Sequence, residues 1–288
     1  MTVLLVANRG EIARRIFRTA RRMSMRTVAV HSDADASLPF VREADAAVRI
    51  GPPPARESYL DVERILAAAR ETGAALIHPG YGFLAESPAF ADAVARAGLR
   101  FIGPTPAALT ALGDKAQAKD IARRAGVPVL PGHWSDDQRD ETFLDAARRI
   151  GYPVMVKPVA GGGGIGMQRV RDEAGLRDAL AKARRIAAAS FGDERLLLER
   201  LVERPRHVEV QILADAHGAV VALGERDCST QRRHQKVLEE TPAPSFDDRQ
   251  RKAIADAAIA VMRDVGYVGA GTVEFAIDEA GQFFFLEV

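Results

Sequence analysis

One stretch limits the folds open to this chain more than any other: VMVKPVAGGGGIGM at residues 154–167. Val154, Met155 and Val156 form an apolar run of strand character, and Lys157 stands at its end, where a side chain points into a site. Gly161, Gly162, Gly163 and Gly164 follow, with Gly166 close behind. Lacking a Cβ, such residues turn several amides toward one anion at close range. Strand, lysine and glycine loop together suit a polyphosphate. A flexible hairpin tip is the plainer reading, but it leaves the lysine unexplained.

The pattern is not a P-loop, in which the lysine follows the glycines and opens a helix. Here Lys157 precedes them, and Met167 to Val170 read as a returning strand. A glycine loop between two antiparallel strands, with a lysine on the entering strand, is the ATP-grasp arrangement.

At 288 residues the length favours two domains, or one domain with an inserted lobe, and 47% hydrophobic residues suffice for real cores. A net charge of +1, with both signs interspersed, gives no electrostatic case for nucleic acid or a membrane surface. A single cysteine, Cys228, excludes an internal disulfide and any multi-cysteine metal site. No apolar run reaches the roughly 18 residues of a membrane span, and the N-terminus reads as a strand rather than a signal peptide, so a cytoplasmic protein is expected. The last residues, FFFLEV, read as a strong strand with no turn after it, which suggests a truncated chain.

Strands at 3–7, 27–30, 75–78 and 100–102, with helices at 12–25 and 60–72, make residues 1–103 an α/β lobe of five units. Gly10 alone is weak evidence for a dinucleotide, because the G-x-G-x-x-G fingerprint is missing. HPGYGFLAES at 78–87 forces a tight turn at a strand end, a ligand-binding position in open sheets or plain turn chemistry. Residues 105–126 read as helix interrupted near Gly113-Asp114-Lys115. From 153 to 227 one antiparallel strand set with a helix at 173–190 is expected, then a helix at 247–265. Paired strands at 269–277 and 282–288 close the chain.

Glu274 and Glu287 interrupt strongly apolar strands. Burying a carboxylate costs several kcal/mol unless it is paired or holds a metal. A hairpin puts both acids on one face, a donor set for Mg²⁺ beside phosphates; the alternative is two solvent-facing charges. Around Gln231, residues 225–240 gather Arg226, Arg232, Arg233, His234 and Lys236. Interleaved acids and the lack of aromatics argue for a small-anion pocket over a nucleic-acid patch. Cys228 has no assigned base and reads as structural. His207 and Glu209 share one strand face, toward the site or toward water.

ANRGEIA (7–13), HPGYGFL (78–84), GDKAQAK (113–119), GYPVMVKP (151–158), GGGGIGM (161–167), PRHVEVQ (205–211), ERDCSTQRRHQKVLEE (225–240) and GAGTVEF (269–275) closely resemble biotin carboxylase, the ATP-grasp part of acyl-CoA carboxylases. The match runs in order along the whole chain. It implies a Rossmann-like N-terminal lobe at 1–113 and an ATP-grasp domain at 114–288. That domain carries a mobile glycine-loop subdomain at about 131–203, and its C-terminal lobe is incomplete.

By the same resemblance Lys115 and Lys157 contact ATP phosphates, and Gly163 and Gly164 close over them. Met167, Glu199, Arg200, Leu201 and Val202 hold the adenine, while His207, Gln231 and His234 line the nucleotide site. Lys236 holds bicarbonate, and Glu274 and Glu287 ligate two Mg²⁺ or Mn²⁺ ions; Lys236 and these two acids are the implied catalytic set. The implied activity is a ligase that carboxylates biotin on a carrier through carboxyphosphate. Its implied partners are the biotin carboxyl carrier, a carboxyltransferase and, in a homodimer, a second copy. Ile165, where the family is usually basic, and Pro158, where it is usually small, depart from the pattern. Family residues beyond Glu287 are lacking, so a non-catalytic ATP-binding fragment is the alternative, as is the equivalent domain of another biotin-dependent ligase such as pyruvate carboxylase.

Overall fold

The computed structural model describes residues 1–232, 235–244 and 246–288; Arg233 and His234 lie outside the described residues. The chain divides into two compact units, Met1–Thr110 and Ala111–Val288, slightly upstream of the boundary expected at 113/114.

The first unit contains β1 (Val3–Val6), α1 (Gly10–Arg22), β2 (Arg26–Ser32), α2 (Pro39–Glu43), β3 (Ala46–Gly51), α3 (Val62–Thr72), β4 (Leu76–His78), α4 (Pro88–Arg96), β5 (Arg100–Phe101) and the start of α5 (Pro106–Gly113). Its five strands form one parallel sheet in the order β3-β2-β1-β4-β5. Alternation along β1 sends Leu5 into one core with Val28, Ile65, Ile77 and Phe90, and Leu4 and Val6 into another with Ile16, Phe17 and Phe40. Each such side chain contributes about 1.5–3 kcal/mol by leaving water. The strand β3 escaped the sequence reading because it is a short edge strand, AAVRIG, in which two alanines, Arg49 and Gly51 leave only Val48 and Ile50 as strong strand formers.

In the HPGYG turn, Asn8 Nδ2 donates to the carbonyls of Pro79 and Tyr81, both at 2.7 Å. A Cβ on Gly80 would lie 2.6 Å from that nitrogen, so close packing alone accounts for the glycine.

The second unit begins with the end of α5 and α6 (Lys115–Arg124). It continues with β6 (Gly132–His133), α7 (Asp140–Ile150), β7 (Val154–Pro158), β8 (Gln168–Val170), α8 (Leu176–Phe191) and β9 (Leu196–Arg200). There follow β10 (Arg206–Ala214), β11 (Val220–Arg232), β12 (Gln235–Glu240), α9 (Asp248–Asp264), β13 (Gly269–Ile277) and β14 (Phe283–Glu287). Asp114 separates α5 from α6 and caps the latter by accepting the Gln117 amide.

The single antiparallel set expected at 153–227 is in fact parts of two sheets. A four-stranded sheet, β6-β9-β7-β8, carries the glycine loop and packs on α7 and α8 through Phe143, Leu144, Leu176 and Leu180. A five-stranded antiparallel sheet, β12-β11-β10-β13-β14, packs on α9. The chain leaves the first sheet at Arg200 and enters the second at Arg206. No strong breaker other than Pro205 marks that change, which is why the pattern hid it.

Candidate functional site

A cavity of about 750 Å³ opens inside the second unit. One wall comes from the four-stranded sheet. The buried run Val154–Val156 ends at Lys157, which points its ammonium to 2.6 Å from Glu199 Oε2 on β9. The chain then enters the loop, where Gly161, Gly163, Gly164 and Gly166 all adopt positive φ, a region costly for other residues. Lys115, at the start of α6, donates to the Gly161 carbonyl and lies 3.8 Å from a Glu287 oxygen.

The opposite wall comes from the five-stranded sheet. Its register sets Glu209 beside Glu274, and Glu274 beside Glu287. Three carboxylates therefore lie in a row across adjacent strands, and cations answer them. Lys236 contacts Glu209 and lies 2.7 Å from Glu274; Arg226 contacts Glu209. Gln231 Nε2 donates to His207 Nδ1 at 2.8 Å, which leaves the ring proton on Nε2, 2.7 Å from Glu274 Oε2.

Burial opposes ionisation of Glu274, yet His207 and then Lys236 outweigh it and hold the carboxyl down to about 2. For Lys236, burial opposes the charge and the two glutamates outweigh it, raising its pKa. Glu287 is different. Burial raises its pKa, Lys115 only partly offsets this, and the charge of Glu274 adds to it. Burial likewise lowers Lys115. Glu287 is thus an under-compensated carboxylate beside a second one. Hard oxygen donors short of positive charge suit a hard divalent cation.

The cavity lining includes Lys115, Lys157, Gly163, Gly164, Met167, Glu199, Arg200, Leu201, Val202, His207, Gln231, Lys236, Glu274 and Glu287. Of the site residues expected from sequence, His234 alone falls outside the described residues.

Comparison with family models matches residues 1–109 to the biotin carboxylase N-terminal domain. Residues 114–288 match the ATP-binding domain of the carbamoyl-phosphate synthase L chain. The chain is 53% identical over 286 residues to the mitochondrial methylcrotonoyl-CoA carboxylase subunit alpha of Oryza sativa subsp. japonica, covering 99% of this chain and 39% of that one. Among solved structures it superposes on a biotin carboxylase–beta-gamma-ATP complex from Campylobacter jejuni with TM-score 0.97 at 43% identity, covering 99% of this chain and 64% of that one. It also superposes on the biotin carboxylase domain dimer of 2-oxoglutarate carboxylase from Hydrogenobacter thermophilus, in complex with MgADP, ADP and bicarbonate. There the TM-score is 0.96 at 42% identity, with 99% of this chain and 63% of that one covered.

The chain belongs to the biotin carboxylase family. It spans less than two thirds of the relatives it matches. The two units are a parallel α/β lobe and an ATP-grasp body, as in the solved biotin carboxylases. Among the described residues no helix is long and apolar enough to cross a membrane.

Three residues at the walls of this cavity were not assigned from sequence. Glu209 was left between site and solvent; it is 3% exposed and faces Lys236 and Arg226. Arg226 was one cation among several. Lys119 was passed over, although its position one turn after Lys115 on α6 puts both on one helix face.

Cys228 is fully buried, and burial pushes its thiol up to about 12. At about pH 8 roughly one part in ten thousand is thiolate. A thiol reagent at that pH should leave the folded protein unmodified and label it only after denaturation; rapid native labelling, read by intact mass, would refute the buried assignment.

Proposed function

We propose that this chain is the nucleotide-binding part of a biotin carboxylase: with ATP and bicarbonate it forms carboxyphosphate, and the carboxyl group passes to biotin on a carrier, the first half-reaction of an acyl-CoA carboxylase. The observation that carries this reading is one cavity with a lysine–glycine-loop wall facing a paired-carboxylate wall.

Lys115 and Lys157 hold the phosphate chain, and the amides of Gly163 and Gly164 cover it. Met167 and the segment Glu199, Arg200, Leu201 and Val202 receive the adenine. The amides of Arg200 and Leu201 already donate to Pro131 and Pro153, which fixes this segment before any nucleotide arrives. His207 and Gln231 line the site as one hydrogen-bonded pair, with His234 as a further candidate. Lys236, held by Glu209 and Glu274, presents its ammonium to bicarbonate. Glu274 and Glu287 would hold Mg²⁺ or Mn²⁺, which offsets charge on the transferring phosphoryl group. A biotin carboxyl carrier, a carboxyltransferase and a second copy of the chain are the proposed partners. The acyl-CoA is not specified, since relatives act in methylcrotonoyl-CoA and 2-oxoglutarate carboxylases alike.

Titration calorimetry with Mg-ATP tests the reading. The 288-residue chain should bind, and Lys157→Ala should bind at least about tenfold more weakly. Failure of the wild-type chain to bind ATP would overturn it.

A further inference from the structure

The buried end of the phosphate wall holds a charge group that the proposed roles do not use. Lys119 is fully buried on α6, its ammonium 5.8 Å from the Trp134 ring centre and in contact with Glu199. The Glu199 side chain is 1% exposed and its other oxygen meets Lys157, whose side chain is 15% exposed. Two ammonium groups therefore share one carboxylate; both lysines line the cavity, and Lys157 is the more exposed of the two, at 15% against 1%.

Burying an ammonium costs several kcal/mol, and a neutral apolar residue would fill the same volume more cheaply. A plain structural ion pair would need one lysine, and Lys157 already supplies it. With Lys119 removed, Glu199 and Lys157 would form a neutral pair at the phosphate wall. With Lys119 protonated, the group Lys119, Glu199 and Lys157 carries a net charge of one positive unit (two ammonium groups, one carboxylate); burial lowers the Lys119 pKa, and the Glu199 carboxylate acts against this.

We propose that Lys119 is a positioning residue for nucleotide binding: it neutralises Glu199 so that Lys157, held in place by the same carboxylate, keeps its full charge for the phosphate chain. Lys119, with a side chain only 1% exposed, acts on the phosphates through Glu199 and Lys157. The inference rests on the nucleotide reading above and adds a residue outside the expected phosphate ligands.

The test compares ATP with adenosine, which lacks phosphates, on the whole 288-residue chain. Lys119→Met should weaken ATP by about tenfold and change adenosine by less than about threefold. Lys119→Arg, which keeps the charge beside Glu199, should stay within about threefold of wild type for both ligands. Equal losses for ATP and adenosine, an unchanged ATP affinity, or a Lys119→Arg variant as weak for ATP as Lys119→Met would each overturn the proposal. Should Lys119→Met not fold, as judged by circular dichroism, Lys119→Gln takes its place with the same expected and overturning outcomes. Absence of ATP binding by the wild type would instead remove the nucleotide reading itself.

Discussion

Glu274→Gln should weaken ATP binding in the presence of Mg²⁺ by about a hundredfold, and the binding that remains should no longer respond to the metal. Glutamine keeps the size of the side chain and removes its charge, so the effect isolates electrostatics from packing. Glu274 is the middle carboxylate of the three, set between Glu209 and Glu287 by the strand register. It also accepts from Lys236 at 2.7 Å and lies 2.7 Å from His207 Nε2. Neutralising it leaves Lys236 with Glu209 alone and leaves Glu287 without a second anionic donor. About 3 kcal/mol is the usual scale for breaking such a partly buried set, which corresponds to two decades of affinity. Calorimetric titrations with and without Mg²⁺ measure it. A variant whose affinity rises with Mg²⁺ as the wild type's does would show that the metal assignment is wrong.

Gly161→Ala should lower ATP affinity about tenfold or more, while Gly162→Ala, one position on, should be nearly silent. The two sites differ in what a methyl group would meet. At Gly161, with φ +75°, a Cβ would fall 2.1 Å from Phe191 Cε1. At Gly162 the space is open for 4 Å and φ is ordinary. The Gly161 carbonyl also accepts from Lys115, so moving this residue displaces a phosphate-facing lysine along with the loop. Parallel thermal melts would separate a local loop effect from general destabilisation. Equal behaviour of the two variants would mean that the loop conformation described here is not the one that binds nucleotide.

How much of this was legible beforehand depends on the range of the interaction. The glycine loop and its lysine were readable because loop chemistry is local: a strand end, a lysine and five glycines lie within residues 154–167. Asp114 was readable as a break between helices for the same reason, since a cap acts over three residues. Glu274 and Glu287 were readable as a pair because a tight turn at 278–281 fixes their hairpin. Glu209 was not, because its side of the strand is decided by pairing with residues 226 and 274, far away in sequence. Nothing local to Lys119 separates a buried lysine from an exposed one on a helix. Only the approach of Glu199, from another sheet, reveals that it is buried. The split of the strands into two sheets was hidden likewise, because alternation reports a strand's faces and not its neighbours.

Among the described residues the chain passes between the two sheets of the second unit at two short crossings. Before the first, Phe285 N donates to Pro128 O at 2.8 Å, and Val129 bridges to Phe285, so the chain is anchored to the five-stranded sheet there. Just beyond, Pro131 O accepts from Arg200 and belongs to the other sheet. The second crossing runs from Val202 to Pro205 and includes Arg204 at φ +49°. A body held by two adjacent tethers has one easy rotation, about the line through them. Val154 pairs with Arg200 beside that line, while Pro158 pairs with Leu196, about 13 Å further out at 3.3 Å per residue. Any swing of the glycine-loop sheet therefore leaves Arg200 to Val202 almost still and Glu199 little moved, while Lys157, paired with Leu197 one residue inside Pro158, travels nearly as far as the outer end. The loop travels farthest, and such a motion opens the contacts at the outer end of that sheet: Lys115 with Gly161 and Val159, and Asp114 with Arg195.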